Sequence, residues 1–170
     1  MTRSEQLTRW VAEKYRTQPY FDHCLKVAEL AAPAAPLAYE VGLCHDMLED
    51  KLTTEQEIRT ALNEFQYDEM EIRQVTIAVQ ELTDVFTLQD FPEISKKQRR
   101  KEENKRLVST GPLAQTVKYA DLIDNAAWIR QNRPEKWERY ARRKRKLLNR
   151  LCLGDRGLRN AAMQIFSQLD

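Results

Sequence analysis

The stretch Leu43-Cys44-His45-Asp46-Met47-Leu48-Glu49-Asp50 sets a histidine beside an aspartate and follows them, one helical turn later, with a pair of carboxylates. On a helix Glu49 and Asp50 fall at i+3 and i+4 from Asp46, so they lie over the same patch of surface. Neighbouring helical side chains point about 100° apart, so His45 and Asp46 reach one ion only if it lies between their directions. The other members of the stretch are apolar, which places this polar spot in a buried segment. A lone His-Asp pair is ordinarily a helix end with solvated acids. What the rest of the chain adds decides the reading.

Working outward, a helical period recurs between turn signals. Pro33 and Pro36 open a helix predicted from Leu37 to about Asp50. Before it, Pro19 separates a first helix capped by Ser4 from a second that begins at about Tyr20 or Phe21, carries His23 and is closed by Pro33 and Pro36. After it, Thr54 and Glu57 form a capping box, and a further helix runs from Asp68 to Leu82. Thr83 to Ile94 is mixed, with Asp90, Phe91 and Pro92 reading as a loop, and is expected to border the polar spot and move; Ser95 caps a very basic helix. Gly111 and Pro112 start an apolar-faced helix to about Ile129, Pro134 opens one from Glu135 to about Leu153, and the last spans Leu158 to Leu169. No alternating β-type run or internal repeat is found, so the prediction is all-α, a single-domain helical bundle over residues 1–170. Trp10, Trp128 and Trp137 are assigned to the core.

Composition narrows the class. No apolar run approaches the roughly 20 residues of a membrane span, and the N-terminus lacks a secretory signal. Cys24, Cys44 and Cys152 are odd in number and widely spaced, which suits buried, reduced thiols and a cytoplasmic location. The net charge of +2 hides an asymmetry: residues 1–95 hold 8 Lys and Arg against 18 Asp and Glu, and the remainder 20 against 8. The acidic part carries His23 and the His45-Asp46 pair, while the basic part suits an anionic ligand.

The chain has only two histidines, and Asp121 sits in the middle of an apolar helix, where an unpaired carboxylate is costly to bury. One divalent ion bound by His23, His45, Asp46 and Asp121 satisfies all four. Two imidazoles and two carboxylates suit Mn²⁺, Fe²⁺, Zn²⁺ or similar ions and leave room for water.

The order His, His-Asp, Asp resembles that of the HD-domain metal-dependent phosphohydrolases. Pro19-Tyr20-Phe21-Asp22-His23, His45 to Asp50, Leu82-Thr83-Asp84 and Lys118 to Asn125 resemble the hydrolase motifs of the RelA/SpoT alarmone family of the stringent response. The resemblance covers roughly residues 10–150. It implies an HD-type fold and Mn²⁺ held by His23, His45, Asp46 and Asp121. It also implies removal of the 3′-pyrophosphate from (p)ppGpp-like nucleotides, with Glu49 and Asp50 orienting and deprotonating the attacking water and Asn125 contacting the nucleotide.

Family members usually carry an Arg-Lys pair that grips base and phosphates; here only Arg16 stands in a comparable place, followed by Thr17. Lys97, Arg100 and Lys101 lie where the family supplies phosphate contacts. The run Arg142 to Lys146 has no evident tie to the site. Two alternatives stay open: an HD-group phosphohydrolase acting on another nucleotide (nucleotidase, phosphodiesterase or NADPH phosphatase), and a basic helical nucleic-acid-binding module without catalysis. The expected partner is a small-molecule nucleotide, not a membrane or a nucleic acid. The length leaves no room for a synthetase domain, and the oligomeric state is not legible.

Overall fold

The computed structural model describes residues 1–168. Among them are nine α-helices and no strands: α1 (Arg3–Lys14), α2 (Phe21–Ala31), α3 (Ala38–Cys44), α4 (Glu55–Glu64), α5 (Glu69–Leu82), α6 (Lys96–Val108), α7 (Pro112–Asn132), α8 (Trp137–Leu148) and α9 (Arg156–Ser167). Capping boxes start four of them, at Thr2 with Glu5, Thr54 with Glu57, Asp68 with Glu71 and Ser95 with Gln98. Each satisfies two amides that the first turn would otherwise leave unpaired.

The bundle is organised around α7. One side of it packs Ala114, Val117 and Ala120 into a cluster with Val11 of α1, Val27 of α2, Leu43 of α3 and Val75 and Val79 of α5. Its other side packs Tyr119, Leu122 and Ala126 against Leu147 and Leu148 of α8, Ala162 and Phe166 of α9, and Leu151. A helix buried on both sides has few faces left for polar residues. Hence Asp121 and Lys118, carried by α7, need partners inside the protein. Burying a Leu or Val side chain contributes about 1.5–3 kcal/mol, so the two clusters carry most of the fold's stability.

The close approach of α2 and α3 positions the site. A Cβ built on Gly42 would lie 2.6 Å from the Ala28 Cα and 2.8 Å from its nitrogen, so only glycine lets the two helices meet at this spacing.

Several boundaries differ from the sequence reading. Thr2, not Ser4, caps α1; the Ser4 hydroxyl instead donates to the buried Glu40 carboxylate at 2.9 Å. The helix predicted to reach Asp50 ends at Cys44, because the Gly42 carbonyl is taken by the His45 ring at 2.8 Å. The chain continues in turns, with Met47 N–H on the Cys44 carbonyl and Asp50 N–H on the Asp46 carbonyl, until Lys51 at φ 57 closes them. A 3₁₀ turn, Pro134–Lys136, precedes α8. α9 starts at Arg156, with Asp155 as its cap, and the predicted end at Leu169 lies outside the described residues. Trp137 is buried, but Trp128 is 56% exposed on the far face of α7, and Cys152 is exposed too. Among the described residues no helix is long and apolar enough to cross a membrane.

Candidate metal centre

Three helices converge at the N-terminal half of α2, the end of α3 and the middle of α7. His23 Nε2 stands 3.3 Å from Asp121 Oδ1 and 3.7 Å from Asp46 Oδ2. His45 Nε2 stands 3.1 Å from Asp46 Oδ1 and 3.9 Å from Asp121 Oδ1. Ligands about 2.1 Å from a common ion at tetrahedral or octahedral angles are about 3–3.5 Å from one another, so this spacing suits a first-row divalent ion.

The remaining contacts prepare the set for an ion. The Nδ1–H of His23 donates to Asp124 Oδ2 at 2.6 Å, and that of His45 donates to the Gly42 carbonyl. Both rings are therefore turned so that Nε2, the nitrogen that would carry the lone pair for an ion, faces the cluster. His45 is only 3% exposed, and its Nε2 has no hydrogen-bond partner although Asp46 is near. A buried nitrogen without a partner, surrounded by another imidazole and two carboxylates, fits a divalent cation. Cys24 also approaches His45 and Asp46, and burial pushes its thiol up to about 12.

Charge is balanced tightly here. Burial would raise the Asp121 pKa, yet Lys118 and the two histidines hold it well below the ordinary carboxylate value. The Lys118 ammonium sits 2.8 Å from Asp121 Oδ2, leaving Oδ1 for the cluster. Burial would likewise raise Asp46, and His45 lowers it. Asn125 donates its side-chain N–H to Asp121 Oδ1.

Two further carboxylates stand at the exit. Burial and the Asp84 charge raise Glu49 to about 7, against the opposing bond from the Asp84 backbone N–H to Glu49 Oε2 at 3.3 Å. The Asp50 carboxylate accepts a hydrogen bond from the buried Tyr15 hydroxyl at 3.0 Å; burial outweighs that bond and raises its pKa.

Beside the cluster opens a cleft of about 650 Å³ between α6, α8 and the segment 84–88, with Lys118 at its inner end. Arg100, Arg139, Arg143 and Lys144 line it, and none of the four forms an ion pair among the described residues. The Arg143 Nε is buried without a partner; burial and the charges of Arg100 and Arg139 lower its pKa. Burial, then the Lys118 charge, lowers Lys144 to about 8. Cations that face one another in a recess are stabilised by an anionic ligand.

The structure thus brings together His23, His45, Asp46, Asp121 and Asn125, with Glu49 and Asp50 at the rim. Of the three predicted phosphate contacts only Arg100 lines the cleft; Lys97 and Lys101 are exposed outside it. Arg16 is exposed and its closest acid is Glu13, at 3.5 Å. The sequence reading passed over Lys118, Asp124, Tyr15, Arg139, Arg143 and Lys144 as site residues. Lys118 and Asp124, each one turn from Asp121, carried a readable signal in their spacing. The other four reach the site only through the fold.

A helical bundle with two imidazoles and two carboxylates poised around one point is, as a class, a metal-binding helical protein of the His-Asp type. The HD domain family matches residues 20–126, and the chain belongs to it. No curated protein matches the sequence significantly. A solved structure of a metazoan ortholog of SpoT, a protein that hydrolyzes ppGpp, superposes with a TM-score of 0.77 at 19% identity, over 99% of this chain and 96% of that one. The fold is therefore shared over nearly the whole length.

Proposed function

We propose that this chain, acting as one HD-type unit over residues 1–170, is a Mn²⁺-dependent pyrophosphohydrolase of the cytoplasm that removes the 3′-pyrophosphate from (p)ppGpp-like nucleotides. The observation that carries the reading is the buried His45 Nε2 with no partner, set among His23, Asp46 and Asp121 next to a cleft of unpaired cations. The likeness to a fold that hydrolyzes ppGpp in another protein supports it.

When bound by His23, His45, Asp46 and Asp121, the ion supplies Lewis acidity toward phosphate and water. The chain's own groups do the rest. Glu49, held at about 7, is poised to accept the proton of the attacking water at neutral pH. Asp50, fixed by Tyr15, orients that water. Lys118 spans the cluster and the cleft, so its charge lies where the scissile phosphate meets the metal site. Arg100, Arg143 and Lys144 receive the remaining phosphates, holding the nucleotide in register.

One observation favours a second reading, an HD-group phosphohydrolase acting on a different nucleotide such as NADPH. Arg16, alone where relatives usually grip the base with two cations, projects into solvent with Glu13 as its neighbour. Incubating the purified protein with Mn²⁺ and guanosine 3′-pyrophosphates, NADPH, deoxynucleotides or cyclic dinucleotides separates the two. Pyrophosphate release from the first group alone is expected; phosphate release from NADPH alone would establish the second.

A further inference from the structure

Glu103 lies on the most polar helix of the bundle yet is only 8% exposed. Its two carboxylate oxygens serve different partners. Oε2 accepts the backbone N–H groups of Val85 at 3.1 Å and Phe86 at 3.0 Å. Oε1 accepts from Arg106, through Nε at 2.8 Å and through Nη2. Arg106 then spends its terminal nitrogens on backbone carbonyls, Nη1 on Glu81 at 2.8 Å and Nη2 on Thr83 at 3.1 Å.

The chain is therefore gripped at Glu81 and Thr83 on one side of Asp84 and at Val85 and Phe86 on the other. Asp84 is the residue whose backbone N–H meets Glu49 Oε2. Burying a carboxylate costs free energy unless its lone pairs are filled, and here they are filled by this turn and by Arg106. α6 has one other buried residue, Leu107, so these bonds, more than packing, fasten the helix to the turn.

Taking Glu49 as the proton acceptor proposed above, we infer that Glu103 and Arg106 are positioning residues: they lock the turn Thr83 to Phe86 so that the Asp84 amide aims the Glu49 carboxylate. Arg100 lies on the same helix, one turn before Glu103, and faces the cleft. Phosphate binding and the orientation of the proton acceptor are thus registered on one rigid element.

The first test needs no substrate. In the Mg²⁺-loaded chain, NMR follows the Glu49 carboxyl through a pH titration together with the amides of Asp84, Val85 and Phe86, in wild type and in E103Q. Glutamine keeps the shape but places an N–H donor where a lone pair was needed. The Val85 and Phe86 amides should exchange about tenfold faster or more. The Asp84 amide signal should move, and Glu49 should titrate at lower pH, because it loses the repulsion of Asp84 and gains water. An unchanged Asp84 amide and Glu49 titration would overturn the inference.

The second test uses whichever nucleotide turns over. E103Q should lower kcat about 10- to 100-fold with metal stoichiometry unchanged. KM should stay within about threefold, and in an E49Q background the same change should cost less than about twofold. An equal loss in both backgrounds would show that Glu103 does not act through Glu49. Should E103Q fail to fold, R106K, which cannot reach both carbonyls, is read the same way. If no nucleotide turns over, the proposed function fails while the NMR arm still decides this one.

Discussion

The acidic wall of the site and the basic wall beside it are held in place by different forces. His23, His45 and Asp121 are carried by α2, α3 and α7, whose contact faces are filled with Val27, Ala28, Val41, Leu43 and Val117, and whose spacing is set by Gly42. α6 contributes one buried apolar side chain and is fastened by hydrogen bonds from Glu103, Arg106 and Arg99, the last reaching the Phe91 carbonyl at 3.1 Å. Close packing resists displacement from every direction, which suits a cluster whose donors must stay within a few tenths of an ångström of one geometry. A wall built of hydrogen bonds and unpaired cations gains its balance from an anion. The difference teaches that the candidate metal cluster is a property of the core, whereas the cleft carries positive charge that no ion pair balances among the described residues.

The sharpest way to break this contrast is to remove a donor from the packed wall. In His45→Ala or Asp46→Ala, bound metal should fall in parallel with activity, and kcat/KM should drop roughly 10³-fold or more, measured by elemental analysis and steady-state kinetics on protein with an unchanged circular dichroism spectrum. Retained activity at full metal loss would remove the basis of the metal reading.

A smaller and graded effect is expected on the basic wall. Arg143→Ala or Lys144→Ala should raise KM about tenfold each, the worth of one charge-assisted hydrogen bond, with metal content untouched. Weakening should steepen at low salt, where unscreened charges act furthest. If either change instead empties the metal site, the two walls are not independent and the contrast is wrong.

The mildest probe is pH. The Glu49 carboxylate must be ionised to accept a proton, so activity should rise with pH through the Glu49 titration, and Lys144 must be charged to hold phosphate, so KM should rise as pH passes about 8. Replacing Asp84 with Asn removes a charge that repels the Glu49 carboxylate and supports the Lys144 ammonium, so the acid limb and, to a smaller extent, the alkaline limb should both move to lower pH. An acid limb that stays in place, or an alkaline limb that moves to higher pH, would contradict the assignment of each limb to one wall.

How much of this was legible beforehand depended on whether the signal was local. The helix starts at Thr54, Asp68 and Ser95 were readable because capping is a contact between residues one turn apart, and that at Pro112 because proline suits the first helical position. The end of α3 was misread, since the pattern of apolar residues runs on past Cys44 through Met47 while the His45 ring takes the carbonyl a continued helix would use. Trp128 was assigned to the core on its chemistry alone, but α7 turns it outward, while its neighbour Ile129 packs against the cluster of α8 and α9.

By itself the sequence determined an all-α chain, the sparse set of histidines and aspartates that share a chemistry, and the family to which their order belongs. These follow from residue type and short-range spacing. Only the tertiary structure decided which cations face the cleft, sending Arg143 and Lys144 inward while Lys97 and Lys101 stay in solvent, and which acid orients His23. A charged side chain on a polar helix carries no mark of its direction; that is chosen by what the helix packs against, which lies far away along the chain.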